Sequence, residues 1–232
     1  MKRKATDAPV KSKRAAKRPK SDSKTGKVAP SRTTLSLYAS PFPRVKYVSF
    51  DYSNGLGLRT PVSNTDVIAF ACNDMFDFDR TTGYLANKQP LFFDNLLGAN
   101  GPYKYYKVLS WVTEFTIINS GTAPITVWLS NAANASEIDS VVEVDNLPGV
   151  VKKFISAPSG PTSVCTISNK GNIKDEYYSQ VADAALTGTY GTGPSTVVHG
   201  SLVLYSSSTL VYEVAVKHIA YTQLTILDAT LS

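Results

Sequence analysis

Apolar and polar residues alternate with a period of two over much of the chain, the spacing that turns one face of a strand to a core and the other to water. Within Leu109–Ile118, Leu109, Trp111, Phe115 and Ile117 share one phase, while Ser110, Glu114 and Thr116 fall on the other. The turn formers Asn119-Ser120-Gly121-Thr122-Ala123-Pro124 follow, and Ile125, Val127 and Leu129 then resume the alternation against Thr126 and Ser130. The spacing predicts that these two segments pair antiparallel. Further strands are expected at Val45–Tyr52, Val67–Ala71, Val141–Val144, Val150–Ile155, Ser163–Ile167, Thr196–Tyr205, Leu210–Ile219 and Gln223–Leu227, nearly all separated by turn residues. Helical periodicity is confined to short pieces around Phe93–Leu97 and Asp175–Ala185, too little to cover both faces of a parallel sheet. The pattern predicts an all-β, antiparallel sandwich or barrel of about eight to ten strands, nearest to an eight-stranded jelly roll or an up-and-down barrel.

The first residues break this pattern, and charge explains why. Residues 1–32 hold twelve basic side chains, Lys2, Arg3, Lys4, Lys11, Lys13, Arg14, Lys17, Arg18, Lys20, Lys24, Lys27 and Arg32, against Asp7 and Asp22, a net of +10. The remaining 200 residues carry twelve basic and sixteen acidic groups, a net of −4. All 24 aromatic residues come after the basic segment, starting at Tyr38, so that segment lacks the apolar surface needed to fold. We expect residues 1–34 to form a disordered arm and 35–232 the β domain. Such an arm binds polyanions by counterion release, and the twelve cations are its candidate nucleic-acid contacts. Lys2-Arg3-Lys4 with Lys13, Arg14, Lys17, Arg18 and Lys20 also has the spacing of a bipartite nuclear import signal.

Membrane insertion is not expected, since the longest apolar run, Val67 to Cys72, is six residues. The basic N-terminus leads into no apolar core of a secretory signal, and two cysteines, Cys72 and Cys165, make no disulfide framework. A reducing compartment is therefore expected, where the sequon Asn134-Ala135-Ser136 stays unmodified.

No catalytic set emerges. There is no Gly-x-Ser-x-Gly elbow and no Cys/His arrangement, and both histidines, His199 and His218, fall within strand patterns, so no enzyme activity or cofactor is expected. Asp74, Asp77 and Asp79 could offer oxygen ligands to a divalent cation, but they lack the glycine and terminal glutamate of a calcium loop. Interleaved with Met75, Phe76 and Phe78, they read better as a loop whose aromatics pack, and no metal is assigned. The stretch Gly188–Ser195 has no lysine and reads as a flexible surface loop rather than a phosphate loop.

Several segments together carry a family likeness. Pro90-Leu91-Phe92-Phe93-Asp94-Asn95-Leu96-Leu97, then Tyr103, Tyr106-Lys107-Val108, Trp111-Val112-Thr113-Glu114-Phe115 and Asn119–Ile125 resemble the capsid proteins of small circular single-stranded DNA viruses. The order of features, basic tail then β domain, also matches, although the tail here is a Lys-rich mixture instead of a long Arg run. The resemblance implies a jelly-roll capsid domain and a homo-oligomeric icosahedral shell of about 60 copies. It further implies a single-stranded DNA genome held by the arm, a host nuclear import receptor, a host-cell receptor, and a protein found in the virion and, during assembly, in the host nucleus; the alternatives are a nuclear nucleic-acid-binding or chaperone-like β-sandwich protein that forms no shell, or the capsid protein of a small single-stranded RNA virus. About 60 arms would supply roughly 600 positive charges, enough for several hundred phosphates. On the body, Tyr103, Tyr105 or Tyr106 beside Lys104 and Lys107 offers a place to stack an unpaired base, though such a run more commonly covers a sheet edge or subunit contact.

Overall fold

The computed structural model of the chain describes residues 42–78, 89–90, 92–130, 141–147, 149–158, 163–173 and 183–226. The basic arm, Asp79, the sequon and most of the expected helix at 175–185 lie outside the described residues.

The described residues form nine strands, two short α-helices and one 3-10 helix, in the order β1 (Val45–Arg59), β2 (Thr65–Ala71), α1 (Phe93–Leu97), β3 (Tyr105–Asn119), β4 (Ile125–Ser130), α2 (Val141–Asp145), β5 (Val151–Ile155), β6 (Val164–Asn172), the 3-10 helix Asp183–Leu186, β7 (Gly188–Thr189), β8 (His199–Ser206) and β9 (Tyr212–Thr225). Sheet A runs β1-β9-β3-β6, with the short β7 added at the start of β3, and sheet B runs β2-β8-β4-β5. Every pairing is antiparallel. Two four-stranded sheets whose strands alternate between layers in this order form a jelly roll, as the sequence predicts.

That topology corrects the expected pairing of β3 with β4. The two strands lie in different sheets, β3 bonded to β9 and β6, β4 to β8 and β5. The turn formers between them make a corner instead of a hairpin. The buried Asn119 holds that corner: its amide donates to the carbonyls of Ala123 and Ser156, both at 2.9 Å, and its carbonyl accepts from the Gly121 N–H.

The core lies between the sheets. Phe70, Phe78, Phe115, Tyr52 and His218 form a chain of ring contacts with centroids 4.6–5.4 Å apart, and Phe50, Phe93 and Tyr106 form a second at 5.5–5.6 Å. Such stacked, tilted and edge-on pairs add to the stabilisation each ring gains from the area it removes from water. The alternation in β4 matches the sequence reading, with Ile125, Val127 and Leu129 fully buried. In β3 the phase shifts by one residue at an irregularity between Val108 and Ser110. Tyr106 and Val108 point inward before it, Trp111, Thr113, Phe115 and Ile117 after it, so Leu109 does not share the core phase of Trp111.

Other boundaries differ for identifiable reasons. β1 runs on to Arg59 because a register shift between Asn54 and Gly57 absorbs the glycines while pairing with β9 continues. β6 runs on to Asn172 through polar residues, since an edge strand needs only the β3 ladder. The two segments expected at Leu210–Ile219 and Gln223–Leu227 are one strand, β9, ladder-bonded on both sides by β1 and β3. β8 starts three residues later than expected because the side chain of Asn73 takes the backbone of the preceding segment, donating to the Thr196 carbonyl and accepting from the Val198 N–H.

The expected strand Val141–Val144 is the helix α2. It lies outside sheet B, where Val144 packs on Trp128 and Val203, and the Trp128 indole N–H donates to the Asp145 carboxylate. Burying that apolar patch outweighs the β propensity of three valines. Among the described residues no helix is long and apolar enough to cross a membrane.

His218 is fully buried on β9 beside Phe78, its Nδ1 2.8 Å from the Thr113 hydroxyl. Burial holds its pKa down to about 3 from the ordinary 6.5, and the carbonyl of Cys72, which favours the charged ring, offsets only part of this. The stability this neutral ring confers is complete above pH 6.5 and drains as the pH falls from 6.5 toward 3, at up to about 1.4 kcal/mol per pH unit. Denaturant midpoints measured across that range should fall less steeply for His218→Phe than for the unaltered protein; equal slopes would rule His218 out as the titrating group.

Candidate nucleic-acid interface

The face of sheet A turned away from the core carries exposed side chains among the described residues. Residues directly opposite across an antiparallel ladder share a face. One row is therefore Tyr47, Gln223 and Lys107, the next Ser49, Tyr221, Ser110 and Asn172, and the third Asp51, Ile219, Val112 and Lys170. Tyr47 and Tyr221 are 68% and 48% exposed. Tyr221 stands between Ser49 and Ser110, and beside Ser110 lies a cleft of about 410 Å³ that Tyr221, Lys170 and Asn172 also line. The charges on this face are mixed: Lys107, Lys170 and Lys217 alternate with Asp51 and Glu114. The described body thus has no concentrated cationic groove of its own, consistent with its net of −4.

Sheet B presents a different exterior. Trp128 is covered by Val144, with Leu147 and Val150 packed against the same cluster, and Lys152 lies 5.0 Å from the indole ring while pairing with Asp145 at 2.8 Å. Hydrogen bonds from Lys152 and the Trp128 indole, in that order of weight, hold the Asp145 carboxyl below its ordinary range. The chain covers the Trp128 patch of this face, while Phe154, opposite Thr126 on the same face, stays 71% exposed.

The tyrosine run of the sequence divides in two. Tyr103 and Tyr106 are fully buried, so neither stacks a base. Tyr103 packs edge-on to Phe42 with centroids 6.4 Å apart, and Tyr106 faces Phe93. Tyr105 lies half-buried on the uncovered face, between Lys104 and Lys107, and Lys107 is engaged by Asp183 at 2.6 Å. All twelve basic residues from Lys2 to Arg32 lie outside the described residues.

The acidic segment reads as packing. Asp74 is buried, and its Oδ1 accepts from the Tyr106 hydroxyl at 2.9 Å and from the N–H groups of Phe76 and Asp77 at 3.0 and 3.1 Å. Burial and the neighbouring carboxylate push the Tyr106 phenol well above its ordinary range, so it remains a donor. Among the described residues no cluster of three metal-binding side chains is present.

The stretch expected to be a flexible surface loop is instead partly docked. Gly188 pairs with Tyr106 through β7, and a Cβ there would come within 2.5 Å of the Tyr106 ring; one on Gly193 would run into the Asp74 carboxylate. The glycines are needed for this close approach. Docking brings Tyr190, 45% exposed, beside Tyr105. Sequence reasoning missed Tyr190; an aromatic between Gly188 and Gly191 in a tight turn was the available signal.

No protein-family model matches the chain, and no curated protein matches it. Among solved structures it is similar to the decameric BFDV capsid protein, at 12% identity and TM-score 0.43, over 78% of this chain and 99% of that one. It is also similar to Mud crab tombus-like virus, at 11% identity and TM-score 0.42, over 92% and 94%, and to Desmodium yellow mottle tymovirus, at 15% and 0.38, over 86% and 99%. The jelly-roll assignment rests on the strand order above.

Tyr106→Phe should cost about 1–2 kcal/mol in denaturant unfolding by removing one donor from a buried carboxylate. Asp74→Ala should cost about 3 kcal/mol by orphaning the phenol and two backbone N–H groups. A reversed order of the two losses would sink this account of Asp74.

Proposed function

We propose that this chain is a viral capsid protein that self-assembles into a closed icosahedral shell and packages a single-stranded genome, DNA in our reading, through its basic arm. One observation carries the reading: a net of +10 over residues 1–32 joined to a jelly roll whose own net is −4. A cationic, aromatic-free segment condenses nucleic acid without reading its sequence, and an acidic shell domain does not compete for it. The two sheet exteriors and the splayed loops of a jelly roll supply lateral contacts between copies. Phe92 and Phe154, 63% and 71% exposed, suit such contacts, and Phe92 is held at φ 66°, a conformation bulky residues rarely adopt. The choice of single-stranded DNA rests on the sequence resemblance. In this reading the partners are the genome, other copies of the chain, a nuclear import receptor and a host-cell receptor, and the protein resides in the virion and in the nucleus during assembly.

Expression followed by size-exclusion chromatography and negative-stain microscopy tests assembly directly: closed particles are expected, and a monomer or small ring would instead leave a nucleic-acid-binding protein that builds no shell. Deleting residues 2–27 should abolish nucleic-acid packaging while the β domain stays folded; a truncated protein that still packages a full-length genome would refute the role of the arm. Replacing Lys17, Arg18 and Lys20 with Ala should leave a fluorescent fusion cytoplasmic. Contents of nuclease-treated, opened particles should be destroyed by DNase and resist RNase, and the converse would assign RNA.

A further inference from the structure

At one end of sheet A a cleft of about 460 Å³ is lined by Leu97, Ala99, Lys104, Tyr105, Thr189 and Tyr190. Its volume lies within the range of small-ligand pockets. Two aromatic rings and one cation border it, and the backbone holds all three. Tyr105 pairs with Thr189 in the β3–β7 ladder. The next residue, Tyr190, sits at the tip of a turn closed by reciprocal bonds between Thr189 and Thr192, at 2.9 and 3.2 Å, with Gly191 at φ 84°. Lys104 is anchored by its own N–H to the Thr225 carbonyl at 3.1 Å. Rings fixed by a ladder and a closed turn lose little further freedom when a flat ligand settles on them.

These groups are also idle in the fold. Tyr103 and Tyr106 spend their rings on the core and Lys107 spends its charge on Asp183, whereas the Lys104 ammonium and the Tyr105 and Tyr190 hydroxyls have no hydrogen bond or ion pair among the described residues. The place of the cleft matters as much. Thr225 faces Tyr105 on one side and Val45 on the other, and the Ile226 N–H donates to the Arg44 carbonyl at 3.0 Å. Arg44 and Val45 therefore lie one strand away from Tyr105. Arg32, the last of the twelve cations, precedes Arg44 by twelve residues in the sequence, so a polyanion bound by those cations is linked through the chain to Arg44.

We propose that this cleft receives one base of a single-stranded nucleic acid, stacked on Tyr105 and Tyr190, with Lys104 meeting the adjoining phosphate. The inference rests on the packaging role given above and adds to it a contact that depends on bases, which the arm lacks. Stacking is tolerant of sequence, because every base offers a π face, and requires an unpaired strand.

Fluorescence anisotropy with the full-length protein separates this contact from the arm. An oligothymidylate of about ten nucleotides should bind about tenfold more tightly than an abasic strand of equal length, and Tyr190→Ala should erase that ratio without changing the salt dependence, which the arm sets. Tyr190→Phe should keep the ratio, and oligouridylate should show the same dependence on Tyr190. Lys104→Ala should reduce the logarithmic salt slope by about one. If the protein bound none of these strands, the packaging role itself would fall. Equal affinity for thymidylate and abasic strands, or a ratio that survives Tyr190→Ala, would overturn the stacking site alone. So would an effect of Tyr190→Ala on assembly with binding unchanged, since the cleft would then serve a second copy of the chain.

Discussion

The jelly roll depends on carrying its backbone between two sheets without leaving polar groups unpaired beside a buried core. A strand satisfies its own N–H and C=O groups through the ladder, but a corner does not, and each orphaned group costs as much as a lost hydrogen bond. Buried side chains supply the missing partners here. Asn119 closes the corner from β3 to β4 and also reaches the Ser156 carbonyl beyond β5. Asn73 holds the backbone leading into β8 just after β2 ends. At the crossing from β1 to β2, Arg59 grips Asp66 through two nitrogens at 2.8 and 3.2 Å, and Tyr212 of β9 donates to the same carboxylate at 2.7 Å, tying sheet A to sheet B. A bidentate pair with a further donor is the kind of geometry in which a poorly hydrated ion pair holds its place.

With the corners fixed, the inner faces fill with aromatic rings and the two outer faces take different roles. On sheet B, α2 and the residues after it cover the patch around Trp128 and leave Lys152 and Asp145 as a polar rim, with Phe154 exposed beyond it. Sheet A stays open, with tyrosines set among serines and charges of both signs. The concentrated positive charge of the chain lies in residues 1–32 of the sequence, and the remaining 200 residues carry a net of −4.

How much of this was legible follows from the range of each signal. Alternation reports local exposure, so β4, β5 and the core phase of β9, with Tyr212, Val214, Val216 and His218, were readable one residue at a time. The helix at Phe93–Leu97 was readable too. Pairing was not: a turn-rich stretch between two alternating segments is equally a hairpin or a corner, and only the contacts of Asn119 with Ser156, 37 residues away, distinguish them. For the same reason three valines at 141–144 looked like a strand until Trp128 supplied an apolar surface for a helix to cover. Tyr103, Tyr105 and Tyr106 are alike in sequence, and their division into two core rings and one surface ring was set by the phase of β3 and by β7.

The amino-acid sequence by itself determined the class of the fold and the division of charge, because hydrophobic period and charge are properties of near neighbours along the chain. It also determined that residues 1–32 lack the apolar surface to join a core. Tertiary structure alone decided which strands meet, that Asp74 spends its carboxylate on Tyr106 and two backbone N–H groups, and that Tyr190 stands beside Tyr105. Those residues are separated by 32 and 85 positions in the chain, and bringing them together takes strand pairings and close glycine approaches that no local pattern encodes.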